Sequence, residues 1–351
     1  MSEARPLVAI SSEIGRGHPS YLDSVLTALQ QLGRQVPLTT ACGLGWSLAR
    51  LLYRLGSQGG LATSLYNLVR TSRPSRLQLS LLDSGLCRRF RGTDATVIVD
   101  HPLLAHLLSP VCPVAYIHAE IAAPAICSVK KAWRILVPLE YTASRLVAAG
   151  ISRENLCICG LFIEPEIAAV APAAFAERQQ RLSSSAATLT IGFFTSGAYP
   201  APHLRAIDTA VASVLAAGHQ VLVFAGCGQS RLKSCEARTF SSRQEENCAT
   251  AASFTQLDCL VAAAHERTNW AVGLGLPMFA LLPHIGPFAH ENFGFAEAQG
   301  VCLPLSEPEN FGREIRKLHH QGRLAEMSAA GWEKFPITGA ETAASYLNRP
   351  S

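Results

Sequence analysis

Histidine and acidic side chains follow three apolar runs in the first half of this sequence, at positions where parallel strands would end. His18 closes the glycine-rich stretch EIGRGHP, which comes after the apolar run Leu7–Ser11. Asp100 ends the run VIVD, and His118 ends the run VAYIH. Polar groups at the carboxyl ends of parallel strands face the ligand, and an imidazole there can take a proton from a hydroxyl. Each residue alone is more often a cap or turn residue, but their repetition favours a functional role.

The loop EIGRGHP has the composition of an anion-binding turn. Gly15 and Gly17 permit a positive φ and close backbone approach, and a helix that begins there favours negative charge. The spacing matches neither the dinucleotide-binding GxGxxG nor the P-loop GxxxxGK[ST]. A tight βα turn with incidental glycines is therefore an equal alternative.

Two further stretches in the second half have residues suited to a phosphorylated sugar. The small-residue turn Thr195–Ala198 follows an apolar run, and its backbone N–H groups could hold a diphosphate. The loop PHIGPFAHEN carries His284, His290, Glu291 and Asn292, which could bond sugar hydroxyls. The alternative for that loop is helix N-capping by His290 or Asn292.

A basic, apolar segment runs from Trp46 to Arg76. It contains arginines but no acidic residue, and its leucines and tyrosines alternate around a glycine-rich kink. Such a segment is typical of contact with an anionic membrane surface, and a core helix with a solvated basic face is the alternative. The arginines predicted to contact the membrane are Arg50, Arg54, Arg70 and Arg73.

Composition narrows the class of protein. Of the 351 residues, 48% are hydrophobic and 16% charged, which is enough for two cores and unlike a disordered chain. The net charge of +4 is too small to indicate nucleic-acid binding. No run is long enough to span a membrane, and the first residues lack the pattern of a signal peptide. We expect a cytoplasmic protein, peripheral on the membrane, whose 11 scattered cysteines are reduced and bind no metal.

Strand-like and helix-like runs alternate in two successive halves, which predicts two doubly wound parallel α/β domains. The predicted parts are an N-terminal domain at 1–163, a linker at 164–187, a second domain at 188–338 and a C-terminal helix at 339–351 that returns to the first domain. Strands are predicted near Ala251–Phe254 and at Cys259–Ala262, among others. In such folds the default ligand site is a cleft between the domains.

Two stretches, GRGHPSYLDSVLTAL and VGLGLPMFALLPHIGPFAHENFGFAEAQGVCLPL, resemble glycosyltransferases of the GT-B fold. The similar group includes monogalactosyldiacylglycerol synthases, processive diacylglycerol glucosyltransferases and the N-acetylglucosaminyl transferase of peptidoglycan synthesis. The resemblance covers nearly the whole chain, and the segment YRLGSQGGLATSLYNLVR is similar to the acceptor side of the diacylglycerol enzymes. It implies two Rossmann-like domains facing across a cleft, with no cofactor.

The resemblance also implies roles for individual residues. In the first domain, His18 would be the catalytic base, and the acceptor would contact Gly15 and Gly17. Asp100 and His118, at the ends of neighbouring strands, are also predicted to contact the acceptor. In the second domain, the residues implied to bind the donor are Ser196, Gly197, Phe254, Asn269, His290, Glu291 and Asn292.

One departure concerns the donor. The family usually has a glutamate about five residues before the Gly-Leu-Pro glycine, and here Asn269 and Trp270 occupy that neighbourhood. The bulky residues His265, Glu266 and Arg267 also replace a small turn there, where they would crowd the phosphates or, through Arg267, neutralise them.

The resemblance implies an inverting, metal-independent hexosyltransferase that uses a nucleotide diphosphosugar, typically a UDP-sugar, and a lipid such as diacylglycerol. A catalytically silent relative that binds a lipid or protein partner is the alternative. A nucleotide-sugar 2-epimerase would need additional acidic residues at the site.

Overall fold

The computed structural model describes residues 5–60, 63, 72–184, 187–227, 232 and 236–349. The chain forms two compact units. One comprises residues 1–56, 64–163 and 338–351, and the other comprises residues 57–63 and 164–337.

The first unit is built on a parallel sheet with the strand order β2-β1-β3-β4-β5-β6. The central strands are short apolar runs whose residues are buried on both faces, as expected for a parallel sheet covered by helices. The strands are β1 (Leu7–Ser11), β2 (Leu38–Thr40), β3 (Thr96–Val99), β4 (Val114–Ile117), β5 (Arg134–Val137) and β6 (Leu156–Ile158).

Helices of the first unit separate these strands along the chain. They are α1 (Gly17–Gln31), α2 (Leu44–Gly56), α3 (Arg76–Leu82), α4 (Leu86–Phe90), α5 (Pro102–Leu108), α6 (Glu140–Ala148) and α14 (Gly339–Leu347), with 3-10 turns at Ala125–Cys127 and Arg153–Asn155. The C-terminal helix α14 packs against α1, and its residues Ala340, Ala343 and Leu347 join the core under β1 and β3.

The second unit has a parallel sheet in the order β12-β11-β10-β7-β8-β9. Its strands are β7 (Thr190–Phe194), β8 (Gln220–Cys227), β9 (Arg238–Phe240), β10 (Cys259–Ala262), β11 (Met278–Ala280) and β12 (Cys302–Pro304). Its helices are α7 (Pro165–Leu182), α8 (Ala201–Ala216), α9 (Arg243–Phe254), α10 (Thr268–Leu274), α11 (Ala289–Ala298), α12 (Phe311–His320) and α13 (Arg323–Gly331), with a 3-10 turn at Pro308–Asn310. The two sheets confirm the prediction of two doubly wound parallel folds.

Two stretches differ from the sequence expectation. Residues Ala251–Phe254, predicted as a strand, form the last turn of helix α9, whose N-cap Ser242 accepts a hydrogen bond from the N–H of Glu245. Most of the interval 164–187, predicted as a linker, is the 18-residue helix α7. Pro165 starts that helix at a position where no N–H partner is needed, and buried Arg178 ties it to three backbone carbonyl oxygens of its own unit.

Candidate functional site

The loop between β1 and α1 places His18 beside a second histidine. His18 lies in the first turn of α1, and its ring packs edge-on against the ring of His101, with the centroids 4.9 Å apart. His101 caps α5, because its Nδ1 accepts a hydrogen bond from the N–H of Leu103 at 3.2 Å. Gly15 has a φ of +74°, and a Cβ there would lie 3.0 Å from the hydroxyl oxygen of Tyr53. The turn therefore needs glycine for both its conformation and its close packing.

Asp100 stabilises this loop through hydrogen bonds, and its side chain is not exposed. Its fully buried carboxylate accepts hydrogen bonds from the Ser11 hydroxyl at 2.8 Å and from the Ser12 N–H at 2.9 Å. Burial raises the pKa of the carboxyl from 3.8 to about 7, although the hydrogen bonds from Ser11 and Ser12 act to lower it. The Ser11 hydroxyl also lies 3.1 Å from Oε1 of Glu13, a residue with a φ of +50°. Asp100 thus shapes the loop that carries His18.

His118 has both ring nitrogens bonded inside the protein. Nε2 must donate to the carbonyl oxygen of Ala122 at 3.0 Å, since a carbonyl only accepts. Nδ1 is therefore the acceptor for the hydroxyl of Tyr116, at 3.1 Å. Burial lowers the pKa of the imidazole to about 4. This arrangement differs from the acceptor contact expected from the sequence, because the neutral ring holds the turn after β4 in place. Glu120 is buried in the same turn.

An apolar pocket of about 200 Å³ opens beside the two histidines. His101 forms part of its wall, and Ile14 of the glycine-rich loop forms another part. The remaining walls come from α2, α3, α5 and the turn around Ile126, and most of them are aliphatic. The leucines that line it are Leu48, Leu52, Leu81, Leu82 and Leu103. Sequence reasoning did not find this pocket, because its walls come from segments separated by up to 112 residues, from Ile14 to Ile126.

The helices that build the pocket also leave leucines exposed. Trp46 on α2 donates its indole N–H to the carbonyl oxygen of Leu82 at 2.8 Å, which joins α2 to the end of α3. The outer faces of the two helices carry seven leucines that are 48% to 87% exposed. We call these residues the leucine face: Leu44, Leu48, Leu51, Leu52, Leu55, Leu77 and Leu81.

The arginines predicted to contact a membrane have different environments. Arg50 points inward and donates to the carbonyl oxygens of Ser12, at 3.0 Å, and Ala41, so it supports the loop before α1 instead of a surface contact. Arg54 is exposed on α2. Arg73 is exposed and donates to the carbonyl oxygen of Ala149 at 2.9 Å. Arg70 lies outside the described residues.

In the second unit, the turn after β7 presents small polar groups before helix α8. The hydroxyl oxygens of Thr195 and Ser196 are buried and have no hydrogen-bond partner among the described residues. Gly197, next in the turn, is exposed. A buried hydroxyl without a partner costs free energy unless something bonds to it. These two atoms are therefore suited to a bound anion.

The loop residues predicted to contact a sugar divide into two groups. Fully buried Asn292 donates its amide to the carbonyl oxygen of Ala264 at 3.1 Å, so it ties α11 to the loop after β10. Asn269 is also buried, on α10. His290, which is exposed, and Glu291, which is partly exposed, lie in the first turn of α11. Only this second group faces solvent.

Aromatic side chains fill the space around Asn269. Trp270 is buried and packs edge-on against Phe194 and Phe254, with ring centroids 5.4 and 5.6 Å away. Its indole N–H donates to Oε2 of the buried Glu164 at 2.9 Å. Phe254, expected near the donor base, has a side chain wholly inside this aromatic core, so only its backbone could reach a ligand.

Arg267 is a buried charge that already has partners. It bonds to Glu246 at 3.1 Å and to Glu266 at 2.8 Å, and its guanidinium lies 4.4 Å from the centroid of Phe194. Two carboxylates around one guanidinium leave no net positive charge for a phosphate. The sequence suggested that the residues around Arg267 would either neutralise the phosphates or crowd them. This pairing disfavours neutralisation.

Two classes of feature are not found in the described part of the chain. It contains no group of three or more histidine, cysteine, aspartate or glutamate side chains arranged to hold a metal ion. None of the helices within the same residues has the length and apolar character needed to cross a bilayer.

Solved structures share this fold at low sequence identity. The UDP-GlcNAc 2-epimerase of Neisseria meningitidis bound to UDP-GlcNAc is 13% identical, with 98% of each chain covered and a TM-score of 0.58. A putative UDP-N-acetylglucosamine 2-epimerase from Listeria monocytogenes is 11% identical, with 98% of this chain and 95% of that chain covered and a TM-score of 0.59. SsfS6, a glycosyltransferase of Streptomyces sp. SF2575, is 12% identical, with 99% and 100% covered and a TM-score of 0.45.

The likenesses to the two epimerase structures confirm the predicted fold class, GT-B with two Rossmann-like domains. No family model matches the chain, and no curated protein matches it. The narrower group of lipid and peptidoglycan glycosyltransferases therefore stays a prediction.

Proposed function

We propose that this protein is an inverting hexosyltransferase that moves a hexose from a nucleotide diphosphosugar, typically a UDP-sugar, to a lipid acceptor such as diacylglycerol. The observation that carries the proposal is the apolar pocket that reaches His101, whose ring packs against the ring of His18. An acceptor with an apolar body and one reactive hydroxyl matches this combination.

The pocket favours a lipid over a sugar acceptor. Its walls are mainly aliphatic, and each methylene group transferred there from water contributes about 0.8 kcal/mol to binding. A sugar would leave its hydroxyls without partners against leucine side chains, at a cost of about 1–3 kcal/mol for each one desolvated. A hydrocarbon chain placed in the pocket would have its polar end near His101.

His18 is the proposed general base. The acceptor hydroxyl loses a proton as it attacks the anomeric carbon of the donor, the new glycosidic bond forms, and the bond to the diphosphate breaks. The imidazole of His18 takes the proton, and the nucleoside diphosphate leaves with the electron pair. The neighbouring His101 limits the orientations of the His18 ring, because the two rings are in edge-on contact. Gly15 gives the loop the positive φ that its turn requires and leaves room for the Tyr53 side chain.

The second unit supplies the proposed donor site. The unpartnered hydroxyls of Thr195 and Ser196 lie in the turn before α8, where backbone N–H groups and the positive end of a 16-residue helix favour a diphosphate. The same groups would stabilise the negative charge that develops on the leaving diphosphate. His290 and Glu291 are the proposed sugar contacts.

Substitution of His18 tests the mechanism. We expect His18→Ala to lower kcat by at least about 100-fold, because general-base catalysis typically contributes a factor of about 100 to 10,000. The measurement is transfer of radiolabel from a UDP-hexose to diacylglycerol in vesicles, with purified protein. His320→Ala, which removes an exposed histidine from α12, is the matched control and should keep full activity. Near-normal turnover of His18→Ala would overturn the base assignment.

A catalytically silent protein that binds a lipid or a protein partner is the second candidate. It is favoured by one observation, the aromatic core of Phe194, Phe254 and Trp270 at the place where the resemblance puts the donor's ribose and base. Calorimetry with uridine diphosphate separates the two candidates. Binding supports the transferase, whereas no heat at millimolar nucleotide supports the silent protein.

A further inference from the structure

Four histidines from four different segments gather around the loop that follows β11. His203 comes from the first turn of α8, His265 from the loop after β10, His284 from the loop itself and His290 from the first turn of α11. We call these residues the histidine cluster. The sequence predicted His284 and His290 as sugar contacts and placed His265 near the phosphates, whereas it indicated no role for His203.

Hydrogen bonds fix two of the rings on the loop backbone. Nε2 of His203 donates to the carbonyl oxygen of Pro283 at 2.8 Å, and Nε2 of His265 donates to that of Ile285 at 2.8 Å. The fit is close, because a Cβ on Gly286 would lie 3.0 Å from the ring of His265. These two histidines hold the segment that carries His284.

The other two rings are close to each other and partly open to solvent. The centroids of His284 and His290 are 5.6 Å apart, and His284 also packs against Phe293, with centroids 4.7 Å apart. His290 is exposed and His284 is half-buried. This pair is where a solute can reach the histidine cluster.

Buried polar atoms in the histidine cluster lack partners. Nδ1 of His203 and Nδ1 of His284 are buried without a hydrogen-bond partner among the described residues, and the His203 side chain is 98% buried. On adjoining segments, the hydroxyl oxygens of Thr195 and Thr268 are also buried without a partner there. A buried polar atom without a partner destabilises the fold, so several of them on adjoining segments point to a ligand that bonds to some of them.

The electrostatic environment of the histidine cluster favours an anion whose binding is coupled to proton uptake. Burial is the main reason that the pKa of His203 is lowered to about 4, and the nearby His265 and His284 contribute to this lowering. Burial also lowers the pKa of His284, as do His290 and His265. His203 and His284 are therefore mostly neutral at pH 7, and a polyanion placed against them would favour the protonated imidazoles.

Few other charges act on the histidine cluster from the same segments. Glu266 and Arg267, next to His265, pair with each other at 2.8 Å, and Arg267 is also paired with Glu246. Glu291, next to His290, is the remaining acidic group in the first turn of α11.

We propose that the histidine cluster is a proton-linked site for a diphosphate group, in which the anion binds together with protons taken up by His284 and His290. Since the diphosphate would be that of the sugar donor, the inference rests on the proposed function. It also gives the bulky residues around His265 a role: imidazoles take the place of a small turn that binds phosphate through its backbone.

Calorimetry across pH tests the proposal on the whole protein. The first probe is UDP-glucose, whose diphosphate is a diester without a group that titrates between pH 6 and 8, and the second is inorganic pyrophosphate. We expect the dissociation constant of UDP-glucose to rise at least about ten-fold from pH 6 to pH 8, since one proton taken up gives up to ten-fold per pH unit. The binding heat should also depend on the ionisation enthalpy of the buffer.

Matched variants separate the histidine cluster from a general pH effect. His284→Gln combined with His290→Gln should remove the pH dependence and most of the proton uptake, whereas His320→Gln should change neither. His290 is exposed and His284 is half-buried, so the fold should tolerate glutamine at both positions.

The possible results distinguish this inference from the proposed function. Binding of UDP-glucose with the same dissociation constant at pH 6 and pH 8 would overturn the proton-linked site and leave the transferase standing. Pyrophosphate that binds with proton uptake, while UDP-glucose and UDP-N-acetylglucosamine do not bind, would support the anion site and count against the transferase. No binding of any probe would overturn the site, and hexose transfer measured in parallel would then decide the function.

Discussion

Asp100 shows how one buried residue can shape the glycine-rich loop through hydrogen bonds to Ser11 and Ser12. Its position after β3 was correctly read as the carboxyl end of a strand, but its hydrogen bonds to Ser11 and Ser12 depend on how β1 and β3 pair. The same is true of His118, whose two partners lie on either side of it in the chain. Residue types indicated where polar side chains would gather, whereas the partner of each atom depends on tertiary packing.

The raised pKa of Asp100 predicts a pH dependence of stability. The folded-state pKa of about 7 lies above the ordinary value of 3.8, so the folded protein holds the proton more tightly than the unfolded chain. The contribution of protonated Asp100 to the free energy of unfolding is fully present below pH 3.8 and is lost as the pH rises towards 7. Its size is about 1.4 kcal/mol for each unit by which the folded pKa exceeds the unfolded pKa. Asp100→Asn keeps an acceptor for the Ser12 N–H but does not titrate.

We therefore expect thermal unfolding midpoints of the wild type to fall more between pH 5 and pH 8 than those of Asp100→Asn. Glu326→Gln, at an exposed position on α13, serves as the control for loss of a carboxylate. Equal falls in the wild type and in Asp100→Asn would show that Asp100 is ionised throughout this range.

At the scale of elements, the alternation of apolar runs and helical patterns was sufficient to predict most strands and the two parallel sheets. The same pattern did not predict the last turn of α9, Ala251–Phe254. This turn is a short apolar run, and such runs fit either a strand or a buried helix end. The pattern was also insufficient for α7, where an internal Pro172 and many small residues suggested an irregular segment. The packing of α7 against α9 and α13 compensates for its low helical propensity.

The leucine face on α2 and α3 carries the prediction for membrane contact. Leu51 and Leu55 are 50% and 58% exposed and do not line the pocket, so changing them should leave the pocket intact. We expect Leu51→Gln combined with Leu55→Gln to weaken binding to vesicles containing phosphatidylglycerol by about ten-fold or more, since each leucine buried in a bilayer contributes about 1.5–3 kcal/mol.

Sedimentation with such vesicles measures this binding. Leu215→Gln, at a 48% exposed leucine on α8, is the matched control and should bind like the wild type. If the double variant sediments as well as the wild type does, the leucine face is not the contact. In that case the exposed leucines need another partner.

For the whole molecule, the sequence was informative about the fold and much less so about the reaction. The fold follows from repeated local patterns, and the likeness to the two epimerase structures confirms it. A reaction depends on a few atoms. On the first unit, the apolar pocket that reaches His101 supports the proposed lipid acceptor. On the second unit, Trp270 occupies the neighbourhood where the resemblance expects a ribose-binding glutamate. These observations bear on the two halves of one proposed reaction, and they must be tested together.

The most direct test offers both proposed substrates to the purified wild-type protein. Radiolabelled UDP-glucose, UDP-galactose and UDP-N-acetylglucosamine are incubated separately with vesicles that contain diacylglycerol and phosphatidylglycerol, and the label in the lipid fraction is counted. We expect at least one donor to label the lipid and His18→Ala not to support this transfer. Absence of label from all three donors, together with no heat of binding for uridine diphosphate, would contradict it.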